Sequence, residues 1–455
     1  MKVYFAGIGG SGMSALAALC LERGWEVMGS EPEWTDVLRT LSARGAEVFV
    51  PQTGAEMNAP DVVVYTTALP ESHPEIAEAR RRSLPLKSRP EFLRDLFSEK
   101  AVRVAITGSH GKTTTTAMLG HILDRSGRAP TVVAGGIVRH WGTGGRWGDG
   151  DVFVAEADES RPTFRMLNPT HLIVCNLDLD HIEAYGTLQR LTREMMEFGK
   201  GLPVEGAIWV GGYEGAPGEL IEAWEDAGRY VRTYGVDPEA DLSGEIVEAT
   251  ATETRFAVTF GERKVGEFRV PSVGRHIVHD ALGAMAMAAE LGVPLETSGK
   301  TLASFGGVSR RWEVIGTRVG ATVVSDYAHH PTEVRCLLDA ARITNRRILA
   351  VFQPHRYTRT RYLGGNLGEA LRGADFVVVT DVYSAGETES QKIDGRKVYD
   401  SVVAGGVDAE YAETKERAFE VLQEKVRRGD LVLFVGAGTI HNWAVEFTRS
   451  ERRGD

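Results

Sequence analysis

The stretch V102-R-V-A-I-T107, continuing as G108-S-H-G-K-T-T-T-T116, decides the fold of this chain. An apolar run of strand length enters a glycine-bearing loop, and the loop opens a helix. The backbone N–H groups of such a turn, with a helix N-terminus behind them, form a natural seat for phosphate. Lys112 is placed to reach β- and γ-phosphates, and the Thr113 hydroxyl to ligate Mg²⁺. The full GxxxxGK spacing is absent because Ile106 stands at the first glycine position, leaving the shorter G108-x-x-G111-K112-T113. The strand–loop–helix order predicts an α/β fold around a triphosphate-binding loop.

Working outward, the same alternation recurs along most of the chain. Upstream, KVYFAG reads as a buried strand, Met13–Glu22 as a helix, EVMGS as a strand, Val37–Ala43 as a helix and Asp61–Thr66 as a strand. Alternation of this kind makes a parallel sheet with helices on both faces. The basic, proline-punctuated RRRSLPLKSRPEF then leads into Val102, so a first boundary falls near residue 99. Beyond residue 240, EIVEATATETRFAVTF and KVGEFRVP alternate with period two, as in an antiparallel hairpin. Helical patterns follow at Asp280–Leu291 and from Glu296. The stretch Arg310–Val314 is read as the start of a last set of strands, TVVSDY, RRILAVFQ, DFVVVTDVY and LVLFVGAG, which puts a second boundary near 309.

Composition narrows the function. The 455 residues carry 52 Lys+Arg against 63 Asp+Glu, a net charge of −11, without a long basic run. That excludes general nucleic-acid binding, where phosphate neutralisation supplies most of the affinity. No apolar stretch approaches the ~18 residues needed to span a membrane. The apolar run from Met1-Lys2 to Leu21 is broken by Gly7, Gly9, Gly10 and Gly12 and is better read as strand–turn–helix than as a targeting segment. Cys20, Cys175 and Cys336 lack metal-ligand spacing, and a cytoplasmic setting is expected. The 52 glycines, about 11% of the chain against a usual ~7%, point to tight turns and phosphate loops.

Four further motifs carry candidate chemistry. G7-I-G-G-S-G12 is a GxGxxG on a strand-to-helix turn, with Glu31 nineteen residues after Gly12, where a dinucleotide fold places its ribose-binding acid. By itself it admits a nicotinamide dehydrogenase, another diphosphate, or a tight turn alone. V152-F-V-A-E-A-D-E-S160 delivers Glu156, Asp158 and Glu159 at a strand end, where a hard cation beside phosphates needs carboxylate oxygen. N176-L-D-L-D-H181 brings Asp180 and His181 to another strand end. The last group is R310-R311, S325-D-Y-A-H-H-P-T-E333 and F352-Q-P-H-R-Y-T-R-T-R361. There Arg356, Arg359, Arg361 and His355 form a cationic patch suited to carboxylate or phosphate; a solvated basic helix is the alternative.

GIGGSGMS, GSHGKTTTT, EADES, NLDLDH, RRW, DYAHHPTE, FQPHRYTRT and VYSAGE occur in this order nearly from end to end. In this the chain resembles the Mur ligases. The resemblance implies three α/β domains: a Rossmann-like UDP-binding domain over 1–98; a P-loop ATPase-like domain over 99–309, with a mostly parallel sheet plus a small antiparallel sheet; and a Rossmann-like amino-acid-binding domain over 310–455. It implies a cytoplasmic, ATP-dependent, amide-bond-forming ligase of peptidoglycan precursor synthesis, joining L-alanine to UDP-N-acetylmuramate through an acyl phosphate. The protein would be a monomer or homodimer, without nucleic-acid or membrane partners.

Residue by residue, the resemblance implies that Gly7, Gly9, Gly10, Ser11, Gly12, Met13, Ser14 and Glu31 hold the UDP-sugar. Gly108, Ser109, His110, Gly111, Lys112, Thr113, Thr114, His276 and Asp280 would hold ATP. Thr113, Glu156 and His181 would hold two Mg²⁺ ions. Lys112, Glu156, His181, Arg311 and Asp326 would be catalytic, and Tyr327, His329, His355, Arg356 and Arg359 would receive the amino acid. Departures are visible. Where the family carries His-Asn-x-x-Asn, this chain has H276-I-V-H-D280, so Ile277 offers no hydrogen bond and Asp280 only accepts. Ser109 replaces a usual threonine, Ser325 a usual aspartate, and Glu31 a common aspartate. A related ligase that attaches a preformed tripeptide, and a nucleotide-binding regulator without turnover, remain alternatives.

Overall fold

The computed structural model of the protein describes residues 1–54, 56–160, 162–180, 182–212, 217–388 and 393–449. The chain condenses into two compact units. One comprises Met1–Glu245, Phe256–Arg269 and Val278–Val308; the other comprises Ile246–Arg255, Val270–Ile277 and the chain from Ser309 onward.

In the first unit, Lys2–Ala6 is the centre of a five-stranded parallel sheet. Glu26–Ser30 and Val62–Tyr65 flank it, with Glu47–Phe49 and Leu86–Ser88 at the edges. The helix Ser11–Glu22 buries Met13 and every residue from Ala15 to Cys20. A helix apolar on all sides must be covered on all sides. Here its own sheet covers one side, and the strand Thr143–Arg146 of the next sheet packs on it as well. Small residues make that approach possible: a Cβ on Gly144 would lie 3.2 Å from the Ala15 Cβ, and one on Gly145 would overlap the Ala15 carbonyl. Burial in this contact accounts for the apolar run up to Leu21.

The second sheet has ten strands. Val102–Thr107 lies between His171–Val174 and Val152–Glu156, all parallel, and Ala207–Gly211 and Tyr230–Gly235 continue the parallel run. Thr131–Val138 and Thr143–Arg146 close one edge, the last pair antiparallel. These four flanking strands are not singled out by the sequence pattern. At the other edge stand Leu242–Ala249, Thr254–Phe260 and Arg263–Val270. The expected hairpin is thus a three-stranded meander. Its tight connections make it antiparallel, and it extends the central sheet instead of forming a small sheet of its own. A second correction concerns the helix expected at Asp280–Leu291. It runs from Arg275 to Glu290, so His276 through Asp280 occupy its first turns.

The second unit carries a six-stranded sheet ordered Glu313–Arg318, Ala321–Asp326, Leu431–Val435, Ile348–Phe352, Phe376–Thr380 and Ala409–Ala412; the first pair is antiparallel and the rest parallel. The R310-R311-W312 segment, read above as the start of a strand, is a turn. Arg310 and Trp312 have φ of 63° and 44°, and the strand begins only at Glu313. Two carboxylates hold the turn: Arg310 N–H donates to Glu313 Oε2 at 2.7 Å and Trp312 N–H to Asp326 Oδ2 at 2.8 Å. Among the described residues, no helix is long and apolar enough to cross a membrane.

The helix Lys112–Arg125 behind the phosphate loop is tied down by a buried imidazole. His121 Nε2 lies 3.1 Å from Ser304 Oγ and 3.3 Å from the Thr301 carbonyl, and its Nδ1 lies 3.4 Å from His140 Nε2. A neutral ring satisfies this set, donating from Nε2 and accepting at Nδ1; a second proton would face the His140 N–H. Burial first, then His140, pushes the His121 pKa down to about 4. Because the folded value lies below the ordinary one near 6.5, the unfolded chain binds more protons between these limits. Stability conferred by neutral His121 is therefore complete above pH ~6.5 and lost as pH falls toward about 4. His121→Gln is expected to flatten the fall in melting temperature over that window, measured by thermal denaturation from pH 7.5 to 4.5.

Candidate active site

Residues 108–114 of the first unit form the loop that the sequence singled out. Gly108 has φ +119°, and a Cβ there would stand 2.8 Å from the Asn176 carbonyl oxygen; only glycine meets both conditions. Gly111 has φ +85° and stands at the N-cap of the helix Lys112–Arg125, with the Asp280 carboxylate pressed against its Cα. The NLDLDH segment clamps the loop. His110 N–H donates to Asn176 Oδ1 at 2.9 Å, and Asn176 Nδ2 donates back to the His110 carbonyl at 3.0 Å. Ser109 Oγ bonds both the carbonyl and the N–H of Asp178 at 2.9 Å, and His110 Nε2 lies 3.0 Å from Asp178 Oδ2. His181 lies outside the described residues.

Lys112 is satisfied internally. Its ammonium donates to the Gly108 carbonyl at 2.6 Å, to the Ser109 carbonyl at 3.1 Å, and to Glu159, whose carboxylate oxygens are 3.0 and 2.8 Å away. Glu159 is only 1% exposed, so this is a buried pair. Burial opposes the charge on Lys112, but Glu159, Asp158 and Glu156 more than offset it and raise the pKa. Asp158 follows the same logic with opposite sign: burial disfavours its charge, yet Lys112 and the Ser160 amide hold it below the usual carboxylate range.

Thr113 Oγ1 donates to Glu156 Oε2 at 2.8 Å, and the same oxygen takes the Gly135 N–H at 2.6 Å. A hydroxyl and a carboxylate oxygen side by side at a phosphate loop are the hard donors that fit Mg²⁺. Thr114 is buried in the first turn of the helix. Asp280 packs against the loop, in the same first turns as His276 and the buried Ile277.

The upstream glycine turn sits at the head of the helix Ser11–Glu22, whose N-cap, Gly10, makes no side-chain capping bond. Gly7, Gly9, Gly10, Ser11, Gly12, Met13 and Ser14 all lie in this turn and the first helical turn; Met13 is buried. Glu31, at the end of Glu26–Ser30, folds back so that Oε1 accepts the Gly9 N–H at 2.6 Å. Burial pushes its carboxyl up, opposed by that amide.

The second unit joins four motifs in one chain of rings and guanidinium groups. Arg310 and Arg311 lie 4.8 and 4.9 Å from the Tyr327 ring; Tyr327 meets His329 at 5.1 Å, His329 meets His355 at 5.8 Å, and Tyr383 stacks on His355 at 5.7 Å. Arg359 Nη1 lies 3.4 Å from His355 Nδ1. Arg356 has φ 69° at the N-cap of the helix Tyr357–Ala370. Neither it nor Arg359 nor Arg361 is fully exposed, so the solvated basic helix considered above is not what forms. Burial, then His329, Arg359, Arg356 and Arg310, push His355 down to about 3, which keeps the imidazole neutral amid cations. Asp326 is engaged on both oxygens, by Trp312 N–H and Ala328 N–H at 2.8 Å each. Burial nonetheless pushes it up, with Arg311 opposing.

Several functional contacts escape sequence reasoning. Glu159 was visible only as one of three acids, and nothing in EADES says which one pairs with Lys112. Asn176 and Asp178 were signalled by their position at a strand end, but not as clamps of the loop. Tyr383 and Glu387 belong to VYSAGE, to which no role was attached; Glu387 accepts Thr358 N–H at 3.1 Å and Thr358 Oγ1 at 2.6 Å, fixing the start of the basic helix.

In comparison with known proteins, three family models match the chain. Residues 2–101 match the model of the Mur ligase family catalytic domain, 106–288 the Mur ligase middle domain, and 310–438 the Mur ligase glutamate ligase domain. The chain is 38% identical to a UDP-N-acetylmuramate–L-alanine ligase of Sorangium cellulosum over 96% of this chain and 94% of that one. It is 39% identical to the like-named protein of Rubrobacter xylanophilus, over 97% and 98%. Among solved structures, UDP-N-acetylmuramate–alanine ligase from Thermotoga maritima superposes with a TM-score of 0.83 at 32% identity, covering 98% of each chain. A murein peptide ligase from Psychrobacter arcticus shares the fold, with a TM-score of 0.71 at 23% identity. The chain belongs to the Mur ligase family.

Proposed function

We propose that this protein is an ATP-dependent UDP-N-acetylmuramate–L-alanine ligase of peptidoglycan precursor synthesis, acting in the cytoplasm, where ATP is available. The observation that carries the reading is the loop Gly108–Thr114 with Lys112, Thr113 and Glu156 assembled at its helix. The full-length relatives named above supply the substrate class. Three functional segments, 1–98 for the UDP-sugar, 99–309 for ATP and 310–455 for the amino acid, agree with this chemistry.

A lactyl carboxylate oxygen attacks the γ-phosphorus of ATP, the bridging P–O bond breaks, and ADP leaves. The deprotonated amine of L-alanine then attacks the acyl carbon, and phosphate departs with the C–O electron pair. Gly108–Thr114 offers backbone N–H groups to the phosphates. Lys112, already cationic and held at the loop, exchanges one internal acceptor for a phosphoryl oxygen and offsets its developing charge. Thr113 and Glu156 would hold Mg²⁺, which when bound neutralises phosphate charge. Asp280, acceptor-only and lodged against Gly111, restrains the loop where the family carries an amide. In the amino-acid segment, Arg356 and Arg359 supply charge for the carboxylate, and neutral His355, with Tyr327 and His329, supplies directional contacts. Asp326 holds the Arg310–Trp312 turn and with it the Arg311 side chain against Tyr327. Positioning carries the second step, since no covalent enzyme intermediate is required.

Phosphate release from ATP, measured with UDP-N-acetylmuramate and each acceptor in turn, tests the reading. Release is expected with L-alanine; release only with a murein tripeptide, or with no acceptor, overturns it. Lys112→Ala is expected to lower kcat by about a thousand-fold or more with the fold retained by circular dichroism. Turnover within tenfold of the parent would remove Lys112 from the phosphoryl-transfer site.

A further inference from the structure

Arg89 has no role in the assignments above, yet its surroundings set it apart. It is the first residue of the helix Arg89–Phe97, directly after the edge strand Leu86–Ser88, at the carboxyl end of the N-terminal sheet where α/β folds bind ligands. The acids near it in sequence are spoken for. Glu91 accepts Ser88 N–H at 2.8 Å and Ser88 Oγ at 2.6 Å; Asp95 is bonded by Lys87 at 2.6 Å and Arg94 at 2.7 Å. Arg89 is half-buried and, among the described residues, forms no hydrogen bond or ion pair. Its guanidinium instead lies over the glycine turn: a Cβ on Gly12 would stand 2.6 Å from Nη1 and 3.2 Å from Cζ. Its charge also contributes, after Lys112 and the Ser160 amide, to holding Asp158 of the EADES strand end below the usual carboxylate range. A half-buried guanidinium that lies over a diphosphate-type turn and, among the described residues, has no hydrogen-bonded partner is a fork awaiting an anion.

We propose that Arg89 binds an anionic group of the UDP-sugar, its diphosphate or its lactyl carboxylate, and so orients that substrate between the Gly7–Gly12 turn and the Gly108–Thr114 loop. The inference rests on the ligase reading above and names a substrate-positioning residue within it. Glycine at position 12 follows from it, since any side chain there would displace the guanidinium.

The test is steady-state kinetics of the full chain carrying Arg89→Ala and Arg89→Lys, with UDP-N-acetylmuramate, ATP and L-alanine varied separately. Arg89→Ala is expected to raise KM for the UDP-sugar roughly ten- to hundred-fold, as loss of a charge-assisted pair does, while KM for ATP stays within about twofold. Arg89→Lys, which keeps the charge and loses the fork, is expected to recover part of the loss. Calorimetric binding of UDP alone separates the two anions. Weakening of UDP binding identifies the diphosphate; unchanged UDP binding with weakened UDP-N-acetylmuramate binding identifies the carboxylate. A UDP-sugar KM within twofold of the parent in both variants, or KM for all three substrates rising together, overturns the proposal. A parent that releases no phosphate with L-alanine fails the ligase reading instead, and the UDP and UDP-N-acetylmuramate titrations still decide Arg89.

Discussion

A single ammonium, Lys112, must stay charged while largely buried, and much of the first unit is arranged to permit it. Removing a lysine from water is costly unless its donors are met and its charge is opposed. Two loop carbonyls and the Glu159 carboxylate meet the donors. The carbonyls can turn inward only because Gly108 adopts a conformation other residues resist, pressed on the backbone at Asn176. Asn176 and Asp178 in turn hold the loop at the end of His171–Val174, and Glu156 and Glu159 arrive from Val152–Glu156 and its following turn. The parallel order of these strands delivers every one of these groups to the same edge.

The pairing of Lys112 with Glu159 also bears on the proposed phosphoryl transfer. A lysine with its donors satisfied is held at the loop, and in the proposed reaction it would yield one partner to a phosphate oxygen. Breaking such a pair by removing one member would leave the other buried and uncompensated, which is why the two belong together. The second unit solves the inverse problem. It sets Arg310 and Arg311 over the Tyr327 ring and Arg359 beside His355, and it keeps His355 neutral to limit repulsion.

Much of this was legible in the residues. Glycines at 108 and 111 followed by Lys112 and Thr113 announce a phosphate loop, and alternating apolar runs announce parallel sheets. The eight motifs in their order carry the family resemblance by themselves. What stayed hidden depends on contacts distant in sequence. The Arg310–Trp312 turn looks like the start of a strand until Asp326, fourteen residues on, is seen to bond Trp312 N–H. The helix containing His276 begins at Arg275, where His276 and His279 on either side of the buried Ile277 and Val278 interrupt the apolar pattern that local periodicity follows. The meander joins the central sheet because an edge strand was available, which local alternation does not report. Arg89 stands in the basic, proline-punctuated stretch before the first boundary, and the three-dimensional allocation of Glu91 and Asp95 to other partners leaves it, among the described residues, without a hydrogen bond or ion pair.

The central claim is that this site activates a carboxylate by phosphorylating it. The most direct measurement uses UDP-N-acetylmuramate labelled with ¹⁸O in the lactyl carboxylate, with mass analysis of the phosphate released on ligation to L-alanine. The account predicts one ¹⁸O transferred to each phosphate, because the attacking oxygen leaves with phosphorus when the amide forms. Unlabelled phosphate accompanying labelled amide would contradict it.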